Sequence, residues 1–261
     1  MSSDEKIRLG GMALPNGVLV HGPRHWACAI RLENDEVRLA SGAKRIVSAD
    51  VDSPLVRGPA RIAEVFALLP AVRKALPEAQ LPFERPRVLA TMLGSAVAAK
   101  AIRRSGAGGV VREGLSGLLA LAPALLAIRG TELAAYHGAE HISIGSYEHG
   151  EPRTREHERC GTHLVGPLLL TSAVGGALAA RAPQELRSLA RAASMLGALA
   201  TSVEIFGWML RHAENPVAQA LARPGHELQQ RFVTAEPTPD QLEVAESALA
   251  ECLRLELTTR V

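Results

Sequence analysis

The chain has 261 residues, 47% hydrophobic, 21% charged and only 3% aromatic. At ~150 residues per domain, that is one or two domains with ample chain for a core. Twenty-nine basic residues against 27 acidic ones give a net charge of +2, which excludes a polybasic nucleic-acid binder and an acidic disordered tail. Three widely spaced cysteines, Cys28, Cys160 and Cys252, argue against a disulfide framework and for a reducing environment. Mean hydropathy is +0.08, high for a chain this charged, so some stretches must be strongly apolar. The first 20 residues carry no apolar run typical of an export signal.

In chain order, residues 17–47 read as β structure. Trp26–Leu32 and Val37–Leu39 flank the polar stretch Glu33–Glu36, which predicts a hairpin. Residues 55–76 predict a helix from Ile62, Val65, Phe66 and Leu69, interrupted at Pro70. Three prolines between 77 and 86 mark a linker. Four alanine- and glycine-rich apolar segments follow, near 88–102, 114–128, 164–180 and 192–210, each bracketed by arginine. A spanning helix needs about 17–25 apolar residues; the last two segments reach that length, and Lys100 lies inside the first. These features predict a mainly α protein. Its centre is a multi-span membrane bundle of about four apolar helices over 87–235, after a partly β cytosolic region over 1–86. The tail, 236–261, predicts an amphipathic helix. Thr238 is its N-cap, Pro239 its first residue and Gln241 the partner in a capping box, with a stripe of Leu242, Ala245, Leu249, Cys252 and Leu253.

The chemistry concentrates between the second and third apolar segments. Five of the nine histidines fall within residues 137–163. On a helix His137, Glu140 and His141 share one face. Two imidazoles one turn apart can grip a divalent metal, zinc above all, and a carboxylate between them can be a ligand or a general base. His-x-x-Glu-His is also an inverted form of the common zinc-protease pattern. His157 and Cys160, three apart, form a second candidate ligand pair. Glu204, in an otherwise apolar segment, is either a further ligand or the partner of an arginine such as Arg191 or Arg211. The glycine-rich stretch 106–109 lacks the lysine and helix start of a phosphate loop, and no Gly-x-Ser-x-Gly elbow is present.

YHGAEH at 136–141, YEHG at 147–150, RCGT at 159–162, PG-x-x-LQ from Pro224 to Gln229, T-x-EP from Thr234 to Pro237 and PDQLEVA at 239–245 resemble the YqhQ family. That family comprises bacterial integral membrane proteins of unknown function, sometimes described as predicted metal-dependent enzymes. The resemblance is strongest over residues 131–253. Nearer the amino terminus Gly10-Gly11 matches, the family's Met-Arg-Gly-Pro turn reads Val20-His21-Gly22-Pro23, and Asn16 stands near an expected glutamate. The resemblance implies a multi-span helical fold and leaves the reaction open.

Two functions compete on this reading. One is a metal-dependent hydrolase at the membrane surface, with Glu140 catalytic and His137, His141, His157, Cys160 and Glu204 as the ligand pool, acting on a lipid-linked or membrane-peptide substrate. The other is a non-catalytic membrane scaffold or regulator with a structural metal site. Both place the chain in the cell membrane as a multi-pass protein with cytoplasmic termini, and neither involves nucleic acid.

Overall fold

The computed structural model describes residues 6–45, 51, 53–104 and 109–259. Residues 46–47 of the β reading and most of the glycine-rich stretch at 106–109 lie outside the described residues.

Four strands form an antiparallel meander in the order β1 (Gly10–Leu14), β2 (Gly17–His21), β3 (His25–Arg31) and β4 (Val37–Ala43). The expected hairpin is the β3–β4 pair, with Ala29 opposite Leu39. Its turn holds Asp35 at φ 64°, a left-handed conformation that Asp tolerates better than most residues.

Alternate side chains on a strand point to opposite faces, and here both faces are covered. Val18, Val20, Ala27 and Ala29 pack under α4 (Glu132–His149) and α8 (Pro239–Thr258). Leu19, Trp26, Cys28 and Ile30 pack under α1 (Pro54–Ala75), against Leu68, Leu69, Val72 and Leu76. Double coverage explains why β2 and β3 are nearly continuous apolar runs instead of alternating ones. Pro70 does not interrupt α1, which continues through it to Ala75. The tail helix starts as expected: the Thr238 hydroxyl accepts from Gln241 N, and the Gln241 side chain accepts from Thr238 N. Ala245, Leu249 and Cys252 then bury on the sheet.

The remaining helices are α2 (Pro86–Arg104), α3 (Gly109–Ile128), α5 (Val165–Ala179), α6 (Arg187–Arg211) and α7 (Pro216–Leu228). Among the described residues two stretches are long and apolar enough to cross a membrane, Gly161–Ala179 and Gln184–Arg211. A third span results only if Gly114–Ile128 is joined to α4 across a bend of 91°. The expectation of four spans is therefore reduced to two, or up to three. The cause is length and charge. The apolar part of α3 covers only about 22 Å at 1.5 Å per residue, and α2 carries Arg87, Lys100, Arg103 and Arg104. At Gly130, with φ +65°, the chain turns, and α4 runs away from α3 to lie on the sheet.

The helices α5 and α6 form an antiparallel hairpin stitched by small residues. The Thr171 hydroxyl meets Ser202 Oγ at 2.9 Å, and Ser194 Oγ donates to Gly175 O at 2.9 Å. Small residues of this kind let backbones approach closely. Val174, Leu178, Met195 and Leu196 of this pair are more than half exposed.

Candidate metal centre

Helix α4 supplies the core of the site. Glu132 lies in its first turn, and Gly150, in the left-handed conformation, ends it. Between them the 3.6-residue period sets His137 and His141 one above the other, ring centroids 4.3 Å apart. Cys160 comes from the loop before α5, with its Sγ 3.6 Å from His137 Nε2. Donor atoms of His137, His141 and Cys160 all lie within 4.8 Å of one another. For a tetrahedral zinc ion, bond lengths of about 2.05 Å to nitrogen and 2.3 Å to sulfur imply an N···S edge of about 3.5 Å. The observed 3.6 Å fits that edge.

The outer partners fix which imidazole nitrogen is free. His137 Nδ1 donates to Val233 O at 2.8 Å, and His141 Nδ1 donates to Arg155 O at 2.7 Å. A carbonyl can only accept, so in the neutral rings the proton sits on Nδ1 and Nε2 keeps its lone pair for a cation. This backbone anchoring is the usual support of a ligating histidine. His141 is 2% exposed. Burial, first, and the neighbouring His137 imidazole hold its pKa below the ordinary histidine value, while Cys160 pulls it upward. A neutral, metal-ready ring is thereby favoured.

Glu140 lies on the same helical side, 7% exposed, over β1. A Cβ at Gly11 would stand 2.2 Å from Glu140 Oε1, so the glycine creates the space the carboxylate fills. Burial pushes the Glu140 pKa up, and the charges of His137 and His157 pull it back. His157 is a neighbour of the cluster rather than part of the close triad: its ring lies 5.5 Å from that of His141, and its Nε2 meets Glu148 Oε2 at 3.1 Å. Glu204 is not brought here. Its carboxylate takes a two-pronged bond from Arg57 of α1. The arginine partner foreseen as one alternative thus exists: the hydrogen-bonding one, Arg57, lies 147 residues away, and Arg211 adds its charge.

Sequence reasoning missed the frame that holds the loop. Gln229, fully buried, begins a π-helical turn, Gln229–Val233. Its side chain accepts from His157 N at 2.8 Å and donates to Thr162 Oγ1 at 2.9 Å and to His163 Nε2 at 3.0 Å. Four residues later Val233 O holds His137. Close backbone approaches pin this frame: a Cβ at Gly225 would lie 2.6 Å from His163 Cα, and one at Gly138 would lie 2.2 Å from Ala235 O. The PG-x-x-LQ and YHGAEH blocks held the signal, because Gly138, Gly225 and Gln229 stand inside them. Gly138→Val is expected to push residues 233–235 off α4 and loosen His137. Zinc affinity, measured by chelator competition, should fall about 10–100-fold, the usual effect of losing a ligand's outer support. Thermal unfolding should show a loss of about 1–3 kcal/mol from overpacking.

A family model described as a protein of unknown function (DUF1385) matches residues 86–255. The uncharacterized protein YqhQ of Bacillus subtilis (strain 168) is 33% identical over 129 residues, 46% of this chain and 40% of that protein. The alignment thus spans well under half the length of that relative. No solved structure matches the chain. The match to the family model over residues 86–255 takes in the whole cluster and the frame that anchors it, and the chain belongs to this family of unknown function, DUF1385.

Proposed function

We propose that the chain is a membrane-embedded metal protein whose centre is held by His137, His141 and Cys160, with zinc as the cation the donor set suits best. The observation that carries this is the convergence of three soft or borderline donors, two of them oriented through Nδ1 by backbone carbonyls. Three protein ligands leave a fourth position open, the arrangement of catalytic rather than structural zinc. Bound there, a divalent cation would supply the charge that acidifies a coordinated water.

The chain's own residues supply the rest. Glu140, next to His141 on α4 and with its pKa raised by burial, is the carboxyl suited to take and return a proton. The reading is therefore a metal-dependent hydrolase. The position supports a membrane-surface substrate, lipid-linked or a membrane peptide, because Cys160 immediately precedes the apolar stretch Gly161–Ala179. The packing of α8 on the sheet supports a reading in which both termini lie on one side, and we assign that side to the cytoplasm. The rival reading, a structural site on a scaffold or regulator, draws on the nearness of His157 as a fourth ligand, but Glu148 already engages its Nε2.

Cobalt substitution separates the two. In the full chain loaded with Co(II), acetohydroxamate should change the visible spectrum through the open position. An unchanged spectrum would assign a closed, structural site. Glu140→Gln should keep zinc within about tenfold of the parent affinity, a ligand loss costing more than that. Any hydrolysis of chromogenic ester or peptide substrates should be lost in that variant; loss of the metal itself would make Glu140 a ligand instead.

A further inference from the structure

A second feature lies on the far side of the π-helical turn. Between α3, α5 and α7 runs a groove of about 260 Å³, walled by Leu121 and Leu125 of α3, Val165 and Leu169 of α5, and Leu228 and Phe232. Its one charged flank is Glu227 and Arg231, paired at 3.0 Å. The Arg129 guanidinium lies 5.1 Å from the centre of the Phe232 ring, so a second cation packs against a wall residue of the groove. Arg129 closes the apolar stretch of α3 just where the chain bends by 91°, the level at which arginines meet headgroups. The groove adjoins Leu118, Leu126 and Leu170, each more than half exposed.

We propose that this groove holds one acyl chain of an anionic bilayer lipid, with the lipid phosphate beside Arg129. The groove is walled mainly by leucine, valine and phenylalanine, the kind of side chain a lipid tail packs against. Its apolar walls and single cationic end match a chain with a phosphate at one terminus. Phe232 in the wall adjoins Val233, whose carbonyl orients His137. The groove therefore delivers a lipid headgroup toward the centre proposed above, and its role as a substrate channel rests on that reading.

The test is native mass spectrometry of the full chain released from detergent with equal phosphatidylglycerol and phosphatidylcholine. One phosphatidylglycerol should be retained, at least fivefold over phosphatidylcholine. Leu121→Trp, which fills the groove, should cut retention at least tenfold, and Leu125→Phe does the same duty if the first variant fails to fold by circular dichroism. Arg129→Gln should erase the headgroup preference while phosphatidylcholine retention stays. Leu93→Trp, on the exposed face of α2, should change nothing. Equal retention in Leu121→Trp and Leu93→Trp would reduce the lipid to the ordinary annulus and overturn the groove, as would a retained second copy of the chain in its place. Zinc measured on the same samples keeps the readings apart. Lipid selectivity without zinc would defeat the metal centre alone, and zinc without selective lipid would defeat the groove alone.

Discussion

His141→Ala and His137→Ala should each lower zinc affinity more than 100-fold, beyond the 10–100-fold that loss of an outer-shell partner gives. Cys160→Ser should do nearly the same. The expectation follows from a three-donor site, in which removing one donor leaves two and no neighbour placed to substitute. His157 lies 5.5 Å from His141, centre to centre, and is engaged by Glu148; His157→Asn should cost tenfold or less. Glu204 is spoken for by Arg57, so Glu204→Gln should leave affinity unchanged. Chelator competition on the five variants gives a ranking. Equal losses in all would mean that they report general unfolding, whereas a loss in Glu204→Gln alone would point to a different site.

Acid sensitivity supplies the second large effect, on the face of the sheet opposite Glu140. His21 at the end of β2 lies over Gly10, where a Cβ would stand 2.7 Å from its Nε2. Lys44 Nζ meets its Nδ1 at 3.0 Å, and the same ammonium pairs with Glu64, the two side chains being 2% and 6% exposed. Burial first, and the Lys44 charge second, lower the His21 pKa from 6.5 to about 4. A base with a depressed folded pKa binds fewer protons folded than unfolded. Its contribution is intact above pH 6.5, declines as pH falls toward about 4, and is constant below that. At 1.36 kcal/mol per pH unit the loss reaches about 3 kcal/mol. His21→Gln keeps an acceptor for Lys44 and removes the titration, so its stability should fall by about 3 kcal/mol less than the parent's between pH 7.5 and 4.5. Parallel acid limbs in the two proteins would show that His21 is solvated.

Local patterns in the sequence translated well into structure. The Thr238–Gln241 capping box, the hairpin around Glu33–Glu36 and the pairing of His137 with His141 all follow from spacings of two to four residues. Long-range features were not legible. Arg57 meets Glu204 across 147 positions, and charge alone made Arg191 or Arg211 equally good partners. The anchors of the two histidines are main-chain carbonyls of Val233 and Arg155, which any residue type could supply. Apolar composition also overstated the spans. The segment near 114–128 is as greasy as the later two, but Gly130 bends the chain after it and α4 spends its apolar side on the sheet instead. Proline within α1 misled for the opposite reason, since Leu68, Leu69 and Val72 bury on the sheet on both sides of Pro70, and that packing outweighs the lost backbone bond.

The most direct test of the metal centre is zinc-edge X-ray absorption on the full chain purified without chelators. One zinc per chain is expected, with a first shell of one sulfur at about 2.3 Å and nitrogen or oxygen at about 2.0–2.1 Å, and with the sulfur contribution lost in Cys160→Ser. A chain that carries no stoichiometric metal after zinc loading, or a shell without sulfur, would contradict the centre built on His137, His141 and Cys160.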